Sequence, residues 1–596
     1  MCGITAYVGN EPAANKILAS LKKLEYRGYD SAGIAFFENE KIEIIKTVGA
    51  ISELEKKMQQ KRISSNLAIG HTRWATHGKA SLENAHPHSS QDKKVCVIHN
   101  GIIENYQTIK NELKEFHFAS QTDTEVFANY FSKNLNDCHL LEDVLRSLGK
   151  TITKMKGSFS FAIMIEGFED KIFFIKEKSP LVLGVGNSFH MLSSDEMALD
   201  EKTEKVVYLS DGDYGFISKN SYCILSNGKI VKRRKLPFTA QVQSVHMGKF
   251  TSFMEKEIEE GSFAYFSTML TLLNQKVQKL EEAIKNSQKV FVVGCGTALH
   301  AGEVFKYVLE KECKTDVFLD YASEFRYKKP HIDQNSLCIF ISQSGETADT
   351  LASASYAKGK GATLVAVTNV KTSRITKICN IVVLTRAGVE VSVASTKAYM
   401  AQLSALYFLI TIFGKVKNEK ISFSPTEILA IYNQKKEIID AEKITLVANH
   451  IKNEKSLFFV GRGLDYFLAK EGALKLKEIT YIHCEAFAGG EMKHGSLSLI
   501  DDESFVVCVL TQKNLLDKMM SNIIEMQSRG AKVILFSPFS ELQNKVFCFV
   551  PLKKLKSHLM PFVAMRPLQM LALKCCEQKS LNPDMPRNLA KSVTVE

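Results

Sequence analysis

Two periodicities divide the chain. Over the first 240 residues, short apolar runs at 32–37, 67–70, 95–99 and 159–165 are bounded by Gly, Asn or charged residues and read as strands. Runs at 172–175, 189–193 and 206–209 add more, while helical spacing is confined to 17–24 and 124–135. Many strands with few helices between them predict packed sheets in an α+β unit rather than a doubly wound sheet. The texture changes between 236 and 260. A polar stretch gives way to an apolar segment at 253–258 and a helical pattern over 266–285, so a domain boundary is placed there.

The second half repeats itself. Residues 289–296 match 456–463 at a spacing of 167, and each copy ends in Gly-x-Gly ahead of a helical pattern. Runs at 337–342 and 363–367 have partners at 504–509 and 530–534. Near-continuous apolar, β-branched strands of this kind fit buried parallel sheets, so the repeat predicts a duplicated α/β module. A strand, Gly-x-Gly and helix exposes backbone N–H groups to a phosphate. The full dinucleotide fingerprint is missing, because Leu299 and Tyr466 stand at or beside the last glycine position.

Composition narrows the field. At 596 residues the chain exceeds one core and predicts about three to five compact units. Its 45% apolar and 24% charged content is that of a globular protein. Thirteen scattered cysteines form neither a disulfide framework nor a CxxC zinc pattern, which fits a reducing, cytoplasmic setting. No run of 18 apolar residues and no basic-then-apolar N-terminus occurs, so neither membrane insertion nor secretion is expected. The net charge of +12 is spread over short clusters such as 232–235 and 553–556, without a nucleic-acid-binding motif.

Candidate chemistry begins at Cys2. Once an initiator Met is removed, one residue carries both a thiol nucleophile and an α-amine whose ordinary pKa of about 7.7–8.0 lets it act as base. Polar clusters accompany the predicted strand ends: Tyr26-Arg27-Gly28-Tyr29-Asp30-Ser31-Ala32-Gly33, His71-Thr72-Arg73-Trp74-Ala75-Thr76-His77-Gly78, His99-Asn100-Gly101 and Thr122-Asp123-Thr124-Glu125. Acyl transfer from an amino-acid amide needs a cation for the carboxylate, an anion for the ammonium and donors for the oxyanion. Arg73, Asp123 and the Asn100–Gly101 pair could supply them. Singly, Thr122 or Asp123 is also a helix N-cap, Asn100-Gly101 a turn, and His71 and His77 structural polar groups.

In the second half, Ser342-Gln343-Ser344-Gly345-Glu346-Thr347 follows a strand and suits a phosphate. Glu471, Lys475 and Glu478 fall at i, i+4 and i+7, on one helix face. A carboxylate there could move a proton between adjacent carbons, and a lysine could hold a ketose as an imine.

The N-terminal strings together resemble the class II, N-terminal-nucleophile glutamine amidotransferases, and the second half resembles two SIS (sugar isomerase) subdomains. The resemblance implies a four-layer αββα fold followed by two α/β parallel-sheet subdomains. The corresponding division is 2–240, a linker at 241–260, SIS subdomains at 261–425 and 426–580, and an active-site tail at 581–596. It implies Cys2 as nucleophile, Asn100 and Gly101 as the oxyanion hole, Arg73, His77 and Asp123 as the glutamine site, and Trp74 as an ammonia gate. In the SIS half it implies that Thr297, Ser342, Gln343, Ser344 and Thr347 hold a sugar phosphate. Val393, Glu471 and Ala590 would support that site. Glu478 would be the proton-transfer base, Lys475 its electrostatic partner, His494 the ring-opening group and Lys591, within Ala590-Lys591-Ser592-Val593-Thr594-Val595-Glu596, the imine lysine.

The expected reaction delivers the nitrogen of L-glutamine to D-fructose 6-phosphate and yields D-glucosamine 6-phosphate, in a homodimer joined through the SIS half. No cofactor, metal, nucleic acid or membrane is implied. A different phosphosugar acceptor, a deglycase reaction or a non-enzymatic phosphosugar sensor are the competing readings. Two departures from the family pattern stand out. Ala298 takes the place of a serine in the first Gly-x-Gly loop, and Ser496 that of a proline after His494.

Overall fold

The computed structural model describes residues 2–74, 78–135, 140–238, 246–433 and 440–594. Two compact units divide at residue 244.

The first unit is built on the strand Gly3–Gly9, whose residues are all buried. Period-two alternation sends Ile4, Ala6 and Val8 to one face and Tyr7 to the other. The strand runs antiparallel between Leu67–Arg73 and Phe189–Ser193, inside an eight-stranded sheet. A seven-stranded sheet holds Val95–Ile103 against Gly157–Ile165. Ile4, Ala6 and Val8 share a core with Ile98, Ala162, Met164 and Phe174 of that second sheet, so the two sheets pack face to face. The outer face of the eight-stranded sheet carries helices Ala13–Leu24 and Ile51–Gln59 through Ile17, Leu21 and Leu54. The outer face of the other carries Asp123–Lys133 and Leu141–Lys154 through Phe127, Phe131, Val144 and Leu148. The layers are therefore α, β, β, α, as the resemblance implied.

The second unit holds two five-stranded parallel sheets of the same strand order. The spacing of the repeat is not constant. Val292 pairs with Ile339 and Ile339 with Val365; in the second copy Phe459 pairs with Val507 and Val507 with Ile534. Equivalent positions are thus 167, 168 and then 169 residues apart, because each intervening connection in the second copy is one residue longer. The sequence alignment at a fixed 167 slips by one and two residues in these strands.

The helical pattern expected over 266–285 is two helices, Phe253–Leu273 and Gln278–Lys285. Asn274 ends the first by turning its side-chain amide onto the Leu270 carbonyl, 2.9 Å away. The helix Lys397–Lys417 is long and apolar enough to cross a membrane, but 83% of its most apolar window is buried inside the unit. It packs there with Phe253–Leu273 in a core drawn from both repeats.

Candidate functional site

Cys2 lies just before the central strand of the first unit. The strand's first amides are pinned by side chains: Gly3 N–H donates to Thr72 Oγ1 (3.1 Å) and Ile4 N–H to Ser194 Oγ (3.1 Å). Neither partner was legible beforehand, because a buried hydroxyl on a neighbouring strand leaves no spacing signal. The Trp74 N–H donates to Cys2 Sγ at 3.2 Å, and the thiol faces the Trp74 carbonyl at 3.4 Å. Burial pushes the thiol pKa up, while the Trp74 N–H and the charge of Arg73 pull the other way. The Trp74 ring stands edge-on to Tyr29, with centroids 5.7 Å apart.

Around this thiol the predicted residues converge. Asn100 Nδ2–H donates to the Cys2 carbonyl at 2.9 Å. Gly101 has φ +121°, and a Cβ there would lie 1.9 Å from the Ser158 carbonyl oxygen, so only glycine fits. Arg73 ends its strand buried, donating to the carbonyls of Gly78 (3.3 Å) and Lys79 (3.4 Å). Burial works against its charge, and the fields of Cys2, Asp30 and Asp123 support it. Thr122 is the helix N-cap, its Oγ1 accepting from Glu125 N–H. That leaves the Asp123 carboxylate to accept from Ile103 N–H at 2.9 Å, with His99 Nδ1 3.8 Å away. His77 lies outside the described residues.

In the second unit, an open cavity of about 120 Å³ is lined by Thr297, Ala298, Ser342, Gln343, Ser344, Thr347, Gln402 and Lys591, among others. Its loop is shaped by Gly345, at φ +66°, where a Cβ would meet Ser373 Oγ at 2.2 Å. Gly345 N–H donates to Ser342 Oγ (3.0 Å), and that hydroxyl meets Thr347 Oγ1 at 3.0 Å. Among the described residues, buried Gln402 Oε1 has no hydrogen-bond partner, although Gln402 lines the cavity.

The Glu-Lys-Glu helix face is not a solvated surface. Glu471 and Lys475 are buried, and a chain of contacts ties them to the cavity. Lys475 Nζ donates to Thr297 Oγ1 (2.9 Å), which donates to Glu471 Oε1 (3.0 Å); His300 Nδ1 holds the other Glu471 oxygen at 2.7 Å. Lys475 pairs with Glu478 at 2.6 Å. Burial opposes the Lys475 charge, but Glu478 and Glu471 carry its pKa above the ordinary value. Lys591 is gripped by Glu390, which also accepts from Ser395 Oγ and from the N–H groups of Thr396 and Ala398. Burial disfavours ionised Glu390, yet Lys591 and these donors hold its carboxyl below the usual range.

Glu390 and His300 were not singled out from sequence. An isolated acid or histidine carries no pattern until the fold brings its partner from 201 or 171 residues away. Val393 N–H donates to the Asp584 carbonyl (3.0 Å), which ties its loop to the chain ahead of Ala590 and Lys591. His494 sits exposed on a turn after Glu491–Lys493 and does not line the cavity.

The first cluster offers a thiol beside amide donors and opposed charges, the needs of amide-nitrogen release. The second offers hydroxyls for a phosphate, an ion-paired carboxylate and a buried lysine. Comparison with known proteins agrees. Residues 71–201 match the model of the glutamine amidotransferase domain, and residues 283–412 and 450–575 that of the SIS domain. The chain is 40% identical over 613 residues to the glutamine–fructose-6-phosphate aminotransferase [isomerizing] of Clostridium acetobutylicum, and 41% identical over 612 residues to that of Fusobacterium nucleatum. All of both chains is covered in each case. The solved C-terminal domain of glucosamine-fructose-6-phosphate aminotransferase from Francisella tularensis superimposes with TM-score 0.53 at 34% identity. It covers 57% of this chain and 99% of that one.

Proposed function

The chain belongs to the glutamine–fructose-6-phosphate aminotransferase (isomerizing) family, and from that membership we propose how its residues divide the work. The enzyme transfers the amide nitrogen of L-glutamine to D-fructose 6-phosphate and isomerises the product to D-glucosamine 6-phosphate, leaving L-glutamate.

In the glutaminase unit, Cys2, freed of Met1, attacks the glutamine side-chain carbonyl. Arg73 takes the substrate carboxylate and Asp123 the α-ammonium, with His77 completing the site. The Asn100 side-chain amide and the Gly101 N–H receive the oxyanion. Ammonia leaves as the γ-glutamyl thioester forms, Trp74 gates its departure, and water releases glutamate. In the isomerase unit, Thr297, Ser342, Gln343, Ser344 and Thr347 hold the phosphate, with Val393 and Ala590 lining the sugar. Lys591 condenses with the ketose carbonyl, losing water to form an imine that ammonia then displaces. Glu478, steadied by Lys475 and Glu471, moves the proton from C1 to C2.

The observation that carries this reading is the convergence of residues 297, 342–344, 347 and 591 on one cavity, with Thr297 in turn bonded to the buried Lys475 and Glu471. His494 is exposed and does not line that cavity within one chain. Its ring-opening role therefore belongs with a homodimer in which a second copy supplies it. The twelve free described cysteines support a cytoplasmic setting.

Product formation from glutamine and fructose 6-phosphate tests the assignment. Cys2→Ala is expected to abolish glutamine hydrolysis, and Lys591→Arg to abolish borohydride trapping of fructose 6-phosphate while glutamine hydrolysis persists. Trapping that survives in Lys591→Arg would remove the imine role.

A further inference from the structure

His71 is fully buried on the strand Leu67–Arg73 and was read from sequence only as a structural polar group. Its Nε2 lies 2.9 Å from the His99 carbonyl oxygen and 3.2 Å from Asn100 Oδ1. A backbone carbonyl can only accept, so Nε2 carries the proton. Its Nδ1 has no hydrogen-bond partner among the described residues, which is where the bare lone pair of a neutral ring belongs. Burial pushes the ring's pKa down to about 3, and its face stacks on His86 with centroids 4.0 Å apart, so the tautomer is held at neutral pH. Among the described residues no group of three or more His, Cys, Asp or Glu is placed to hold a metal ion.

The consequence falls on Asn100. An amide can present either end, and only one end serves an oxyanion. Nε2–H demands an acceptor, which fixes Oδ1 toward His71; Nδ2–H is then left facing the Cys2 carbonyl at 2.9 Å. We propose that His71 is a positioning residue for glutamine hydrolysis: its Nε2–H holds Asn100 Oδ1, so that Nδ2 gives one hydrogen to the Cys2 carbonyl and keeps the other for the oxyanion of the bound glutamine. The proposal rests on Cys2 being the nucleophile. Nothing is transferred to or from His71 itself, so it acts through Asn100 alone.

The test separates oxyanion support from nucleophile integrity. Alkylation of Cys2 by iodoacetamide displaces iodide and builds no charge on a carbonyl oxygen, so it does not need Asn100. In the full-length protein, His71→Leu and His71→Phe remove the donor, and the phenyl ring keeps the stack on His86. Glutaminase kcat is expected to fall roughly 10- to 100-fold, since a whole oxyanion donor is worth about 10²–10³. KM for glutamine and the alkylation rate should stay within about twofold, the range of ordinary substitution effects. His71→Gln, whose amide N–H can reach the same acceptors, should recover most of the loss.

Unchanged kcat in the donor-less variants would overturn the proposal. So would alkylation that falls in step with kcat, which would mean that His71 supports the thiol, or a Gln variant no better than Leu. If the apolar variants do not fold, the Gln variant decides alone: activity within about tenfold of wild type upholds the donor role and a larger loss overturns it. If wild-type glutaminase survives complete alkylation of Cys2, the nucleophile reading fails first and the proposal falls with it.

Discussion

The two repeats of the second unit share strand order and the strand, Gly-x-Gly, helix opening, yet one is open and the other is sealed. One difference sits at the second residue of the helix that follows the glycines. In the first repeat it is Ala298, a methyl group on the wall of the cavity. In the second it is Asp465, fully buried, whose carboxylate accepts from Thr511 N–H (2.7 Å), Gln512 N–H (3.3 Å) and the Thr511 hydroxyl. Those donors follow the strand Phe505–Val509, as Ser342 and Gln343 follow Ser336–Ile341. The second repeat thus satisfies with its own side chain the kind of donors that the first leaves for a ligand. Read from sequence, Ala298 was a missing hydroxyl. Beside Asp465, it is the small residue that leaves room in the cavity proposed to take the phosphate.

Closing the open seat should have the largest effect. Ala298→Asp places a carboxylate where the sugar phosphate is proposed to bind, and like-charge contact costs several kcal/mol. KM for fructose 6-phosphate is expected to rise roughly 100-fold or more, with glutamine hydrolysis intact. A KM that stays put would place the phosphate elsewhere.

Unsealing the closed repeat should cost stability and leave the chemistry alone. Asp465→Ala strands two buried N–H groups, at about 1–3 kcal/mol for each left unpaired, which urea unfolding would register. The pH dependence has a defined sign. Burial raises the Asp465 pKa to about 6, above the unfolded value of about 3.9. The folded state therefore holds this proton more tightly, and the associated stability is full below pH 4 and lost as pH rises to about 6. Asp465→Asn should flatten that part of the thermal-midpoint profile; an unchanged slope would assign it to other groups.

The smallest effect concerns a second buried carboxyl, this one beside the open seat. Glu257 accepts from the N–H groups of Val391 and Ser392, and its other oxygen lacks a partner among the described residues. Burial, then the neighbouring charge of Glu390, lift its pKa to about 8, against the opposing fields of Lys591 and Lys397. Its proton-linked stability is likewise complete below the unfolded pKa of about 4.3 and gone above about 8. Glu257→Gln keeps the acceptor and removes the ionisation. It should raise the thermal midpoint by a few degrees near pH 8 and by nothing at pH 4. A loss near pH 8 that fades at pH 4 would show that the carboxyl is needed ionised.

The comparison also marks what could be read in advance. The Gly-x-Gly loops, the buried parallel strands and the Ser342–Thr347 loop were legible because local backbone chemistry imposes them. So were Cys2, Arg73 and Asp123, each at the end of an element whose pattern was plain, whereas Asn100 and Gly101 lie inside the strand Val95–Ile103, which runs past its predicted end at residue 99. Glu471, Lys475 and Glu478 were placed on one helix face, but periodicity alone could not tell a buried face from a wet one. Glu390, His300 and the locking role of His71 left no trace, because each acts on a partner far away in the chain or on the far side of a sheet.

By itself, the sequence determined the element types, the duplication, the change of texture between 236 and 260 and the chemistry available near each strand end. These follow from short-range rules: side-chain periodicity, glycine conformations and helix caps. Only the tertiary structure decided which repeat holds an open seat, which carboxylate grips Lys591 and which way the Asn100 amide points. Those outcomes depend on whether a donor meets its acceptor inside the protein or is left for a ligand, and burial and long-range contact settle that.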